Sequence, residues 1–170
     1  MKKMVVMLFI LSLVFVLVGT GVRIYKGYSF DINCKSHLKR AADANTVETA
    51  KKELNISLVY MEKNNLTSGI VSIILKQPKN DIGFWYENIK ASRDELNNIS
   101  PETSQLEKTN VLMKLRETLL DNGESTTVTC PDGISIYPMN VLYFFWACIG
   151  WFLTFVFGIW SCVLYELFDY

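Results

Sequence analysis

Four cysteines and one histidine are the side chains of this 170-residue sequence best suited to redox, nucleophilic or metal chemistry. His37 stands alone, so one chain assembles neither a histidine-based metal site nor a catalytic triad, and it reads as a solvated helix residue. Cys148 and Cys162 fall inside an apolar run near the C-terminus and read as small packing residues. Cys34 and Cys130 are the two cysteines of the middle of the chain. Cys130 opens onto Pro131-Asp132-Gly133, in the stretch TCPDGISIYP. There proline fixes φ, aspartate can hydrogen-bond its own backbone and glycine tolerates φ > 0. We expect that turn to join the β-like runs STTVTC and ISIYP as a short hairpin near the membrane, aiming Cys130 at one fixed place. Cys34 follows Val22 by twelve residues and Cys130 precedes Val141 by eleven, a near-symmetry that predicts a Cys34–Cys130 disulfide at the base of the domain. In a reducing compartment two unpaired buried thiols would be the better reading.

No CxxC pair, glycine-rich phosphate loop or GxSxG elbow occurs. Glu53, Glu62, Glu87 and Glu95 lie among lysines on helical faces, as ordinary surface charges do. No catalytic residue, cofactor or metal is expected, and an enzyme is disfavoured. Residues 27–138 hold thirteen Lys or Arg against fifteen Asp or Glu, with no basic stripe for nucleic acid. Asn55, Asn65 and Asn98 are glycosylation sequons that matter only in a glycosylating host.

The elements that carry these residues are set by two apolar ends. Lys2 and Lys3 precede an uncharged run from Met4 to Val22, about 29 Å of helix at ~1.5 Å per residue, enough to cross a bilayer. Gly19 and Gly21 make a weak cleavage site, and an uncleaved signal anchor is expected. The second run, Val141 to Leu164, is longer and equally uncharged. Tyr137, Tyr143 and Trp146 at one end, with Trp160, Tyr165 and Tyr170 at the other, suit the two membrane interfaces. The expected organisation is a tail at 1–3, a span at 4–22, a helical domain at 23–140, a span at 141–164 and a tail at 165–170. Lys2 and Lys3 favour cytoplasmic termini whereas Arg23, Lys26, Lys35, Lys39 and Arg40 argue the reverse. Because long loops translocate largely regardless of charge, residues 23–140 are expected outside the cytoplasm. With tails this short no effector module is expected, and a signal sensed by the domain is expected to leave through helix contacts.

The domain is expected to be a bundle of three or four helices. Cys34, Leu38 and Ala41 form one stripe, and Val47, Ala50, Leu54, Leu58 and Met61 a second one out of phase with it, so a break falls near Ala44. Asn45 with Glu48 reads as a capping box. A helix opening at Asn80 or Asp81 presents Ile82, Trp85, Ile89, Ser92, Leu96 and Ile99 as a seam that leaves Phe84 off it, covered by the preceding segment. A third, starting at Ser100-Pro101 or at the SQLE box of Ser104, runs to Asn122-Gly123. It buries Leu106, Met113 and Leu120 on one side and Val111, Leu112, Leu115 and Leu119 on another. Residues 66–78, rich in β-branched side chains, are expected to be extended.

On the second span Ala147, Gly150, Thr154, Gly158 and Ser161 share a face about 80° wide, a stripe of small residues against which another helix can pack. Either the first span fills it, with Leu11, Phe15 or Val18, or a partner's helix does. A pore is disfavoured, since Ser12, Thr20, Thr154 and Ser161 are the only side chains of the spans suited to lining water. The function expected is that of a non-catalytic accessory or regulatory subunit, embedded in the lipid bilayer beside an integral membrane protein or a second copy. The alternative is a membrane-tethered module for a soluble ligand or toxin, using Phe84, Trp85 and Tyr86 as an aromatic patch.

Overall fold

The computed structural model describes residues 2–121 and 126–166. It is mainly helical, and it divides into two compact units, residues 1–26 with 138–170 and residues 27–137. Gly123, Ser125 and Tyr170, invoked above as helix stop, strand residue and interface anchor, lie outside the described residues.

The first unit is a pair of helices, α1 (Lys2–Phe30, whose last turn belongs to the second unit) and α6 (Asn140–Glu166). Both are long and apolar enough to cross a membrane. They run antiparallel: Lys2 lies over the ring of Tyr165, Phe9 faces Gly158, Val16 faces Gly150, and Lys26 lies over Tyr143. Within α1 the buried positions Val5, Ser12, Val16 and Gly19 recur in steps of three, four and seven, the seam of an antiparallel helix pair. Ser12 Oγ donates to the Phe9 carbonyl and Thr154 Oγ1 to the Gly150 carbonyl, so both hydroxyls are satisfied inside their own helix. Cys148 and Cys162 are exposed on α6, not packed as expected.

The second unit is built on α2 (Ser36–Ala42), α3 (Val47–Lys63), α4 (Ile82–Asn97) and α5 (Gln105–Leu119). A single π-helical turn, Asp31–Lys35, joins α1 to α2 and carries Cys34 into the core. The two stripes read from the sequence are its heart: Cys34, Leu38, Ala41, Ala50, Leu54, Leu58 and Met61 are all buried in one cluster with Ile82, Ile89 and Leu96. The break near Ala44 is present. Thr46, not Asn45, caps α3, accepting from the Thr49 amide, because Thr46 is the residue with extended backbone. The helix closes in a Schellman motif: Leu66 N–H donates to the Met61 carbonyl, Asn65 N–H to that of Glu62, and Asn65 takes the left-handed conformation at φ 56°.

Asp81 caps α4 and Ser104 caps α5, each through its side chain. α5 ends at Leu119, before Gly123, because the chain turns into a two-residue strand, β1 (Leu120–Asp121), paired antiparallel with β2 (Thr127–Val128). The expected hairpin between STTVTC and ISIYP is therefore replaced. β2 pairs backward with β1, and Ile134–Ile136 coils into a 3-10 turn. The Pro131-Asp132-Gly133 turn itself is present, with Gly133 left-handed at φ 81° and Ile134 N–H donating to the Pro131 carbonyl. The apolar surface of α5 is narrower than expected: Leu115 and Leu119 are buried, as is Leu120 in β1, while Leu106 and Met113 face out. Residues 66–78 make only one bridge, Ile70 with Asp81, and otherwise bend and turn.

Candidate functional site

Three groups of residues were singled out by the sequence, and the fold treats each differently. The small-residue stripe of α6 is occupied from within the chain. A Cβ on Gly150 would meet Val16 Cγ2 at 2.6 Å and Phe15 Cδ1 at 3.3 Å, and one on Gly158 would meet Phe9 Cε2 at 3.2 Å. The fit is reciprocal, because Gly19 of α1 receives the indole of Trp146, which also donates from Nε1 to the Phe15 carbonyl at 3.0 Å. Of the three side chains expected to fill the groove, Phe15 does; Leu11 and Val18 point away, and Phe9 and Val16 take their places. The opposite faces of the pair are left bulky and exposed, with Trp151, Phe152 and Phe155 on α6 and Met7, Ile10 and Leu17 on α1.

The disulfide is not formed: Cys34 and Cys130 are free thiols, Cys34 wholly buried and Cys130 half-buried. Cys34 lies in the π-helical turn, and Ser57 Oγ, buried in α3, donates to its backbone carbonyl at 3.1 Å. Burial pushes the Cys34 thiol far above its ordinary 9.0, and the charge that Cys130 would carry pushes it further. Burial also raises Cys130, offset in part by Lys35. A thiol held protonated is a poor nucleophile, and thiolate is the form that enters disulfide exchange.

The aromatic triplet of α4 is split by the helical period. Trp85 and Tyr86 are core residues: Trp85 Nε1 donates to the Thr129 carbonyl at 2.7 Å and Tyr86 Oη to Glu62 Oε1 at 2.9 Å. Phe84 is the outward member, 68% exposed, not covered by the preceding segment as expected. It stands at a cleft of about 520 Å³ that Trp85, Pro78, Asn80, Cys130 and Pro131 help to line. Asn80 Oδ1 is buried with no hydrogen-bond donor.

The sequence misjudged one cluster. Glu53, read as a surface charge, is 2% exposed; its carboxylate accepts from His37 Nδ1 at 2.6 Å and from Arg40 at 2.9 Å, tying α2 to α3. His37, read as solvated, is one of the two donors that satisfy it. The signal was present: Glu53 follows Ala50 by three, and His37 follows Cys34 by three, which places both beside the buried stripes. Glu95 and Glu87 are surface residues as expected, Glu95 pairing with Lys114 at 2.8 Å. Among the described residues no His, Cys, Asp or Glu cluster has the arrangement of a metal site. Compared with family models, curated proteins and solved structures, the chain finds no match.

Proposed function

We propose that the chain is a non-catalytic, two-span membrane protein that serves as an accessory or regulatory subunit of a larger membrane complex. α1 would be a signal anchor, both termini would be cytoplasmic and residues 23–140 extracytoplasmic. The observation that carries this reading is the closed groove of the helix pair. Because α1 fills the small-residue stripe of α6, the faces left over are broad and mostly apolar, suited to lipid or to the flank of another membrane protein. Purification in mild detergent tests it. A stoichiometric companion, lost when Phe152 and Phe155 are changed to alanine, is expected; a homogeneous single-chain particle would count against a subunit role.

An extracytoplasmic placement also puts Cys34 and Cys130 in oxidising surroundings, where a bond between them would replace the two thiols. Closing so long a loop would stabilise the unit by up to about 4–5 kcal/mol in the chain-entropy model. Identical mobility of wild type and Cys34→Ser on non-reducing gels of protein from native membranes would remove that bond from the account.

The second reading, a tethered module for a soluble ligand or toxin, is favoured by the cleft beside Phe84 and by the unpaired Asn80 acceptor on its wall. It expects a ligand with an apolar body and a hydrogen-bond donor. Binding by the full chain that is unaffected by Phe84→Ala would exclude this cleft.

A further inference from the structure

The segment between α3 and α4 is closed at its base and bare at its tip. Ile82 N–H donates to the Gly69 carbonyl at 2.9 Å and Val71 N–H to the Asn80 carbonyl at 3.0 Å, while the Asn80 side-chain amide meets Ser72 Oγ. These bonds hold the two ends of the loop together, with residues 73–79 between them. Its apex is three consecutive aliphatic side chains, Ile73, Ile74 and Leu75, of which Ile74 is 76% and Leu75 71% exposed. Lys76 and Lys79 follow, and residues 72–79 contain no carboxylate.

We propose that this tip inserts into the lipid bilayer surface, as a third attachment of the second unit beside the two spans; the inference rests on the membrane reading above. Three observations favour lipid over a protein partner. The base of the loop packs on the residue that ends the second unit: a Cβ on Gly69 would collide with the hydroxyl of Tyr137, and Tyr137 precedes the first residue of α6, Asn140, by three residues. At ~3.5 Å per residue that is about 10 Å of chain. The composition is that of an interfacial segment, with aliphatic side chains to enter the acyl boundary and lysines whose stems extend along apolar surface while their ammonium groups reach anionic headgroups. The tip also lacks the Trp, Tyr and Arg anchors that dominate protein–protein hot spots. An exposed aliphatic apex is unfavourable in water, and shallow burial in lipid removes that cost.

The test places a photoreactive benzophenone amino acid in the full chain, reconstituted into phosphatidylethanolamine–phosphatidylglycerol vesicles, with adducts identified by mass spectrometry. Three positions are compared: Ile74 at the tip, Phe155 on the outward face of α6, and Val59, exposed on α3. Lipid adducts at Ile74 and Phe155 but not at Val59 are the expected result. Adducts at Phe155 with none at Ile74, or with Ile74 joined to a second protein chain, overturn the insertion while leaving the membrane reading intact. Equal lipid labelling at Ile74 and Val59 overturns it as well, since the tip would then have no special role. Absence of lipid adducts at Phe155 overturns the membrane reading itself.

Discussion

The indole of Trp146 lies flat on the ring of Phe15, with centroids 4.3 Å apart and planes within 1° of parallel. The stack fixes the register of the helix pair, because the same indole occupies the space above Gly19 and its N–H is bonded to the Phe15 carbonyl. Glycine is required at Gly19 and Gly150 for close approach, not for backbone conformation. Gly150→Leu is therefore expected to destabilise the pair by about 1–3 kcal/mol, the usual cost of overpacking. Phe155→Leu on the outward face should leave it unchanged. Thermal unfolding of the full chain in detergent, followed by circular dichroism, separates the two variants; equal stability would refute the packing assigned to the stripe.

Gly69 and Asn65 both have positive φ, but for opposite reasons. Gly69, at φ 106°, is in a conformation that side chains rarely adopt, and a Cβ there would also strike Tyr137. Gly69→Ala should cost about 1–3 kcal/mol. Asn65 is a helix terminator at φ 56°, the position glycine prefers, so Asn65→Gly should be neutral or stabilising by a few tenths of a kcal/mol. The same melting experiment reads both, and the contrast in sign is the prediction.

Glu53 is a buried carboxylate whose partners are more accessible than it is. Removing either donor strands part of a charge in the core, so His37→Ala and Arg40→Ala are each expected to destabilise by about 1.5–3 kcal/mol. Both act on the same two oxygens, so the double variant should depart from additivity. A double-mutant cycle by chemical denaturation checks this, and strictly additive losses would mean that the two donors act independently.

The two thiols give the fold a dependence on alkaline pH while they remain reduced. The unfolded chain releases their protons near 9.0, whereas the folded chain retains them to higher pH because burial raises both. Above pH 9.0 the unfolded state binds fewer protons, so stability present below that pH is lost as pH rises. Tyr60 and Tyr86, also raised by burial, add to the slope at higher pH. Cys34→Ala should flatten the decline between neutral pH and pH 10, and so should oxidation of the pair, since a disulfide has no proton to lose. A slope unchanged by Cys34→Ala would show that the thiol is not protected as the fold implies.

The helices were legible in the sequence wherever their apolar residues recur at 3.6-residue spacing on one face, as in Val47–Met61 and Ile82–Leu96. The cap of α3 slipped by one residue because Asn45 and Thr46 are both good capping types, and only backbone conformation distinguishes them. The strand pairing was missed for a different reason. β2 is two residues long, and its partner was hidden in what reads as the last turn of a helix, so neither periodicity nor composition announces it. Glu53 and His37 were misread because charge was weighed above position: each sits three residues along from a buried side chain, and two donors make such a carboxylate tolerable in the core. The filling of the α6 groove by α1 depends on interhelical register, which a list of small residues leaves open.

The account as a whole depends on where residues 23–140 reside. Alkaline phosphatase fused after Gly123 in living cells reports this directly, because the enzyme folds to activity only outside the cytoplasm. An active fusion is predicted, together with an inactive one when the same enzyme follows the second span. An inactive fusion at Gly123, with a cytosolic reporter fluorescing at that point, would contradict the membrane topology proposed for this chain.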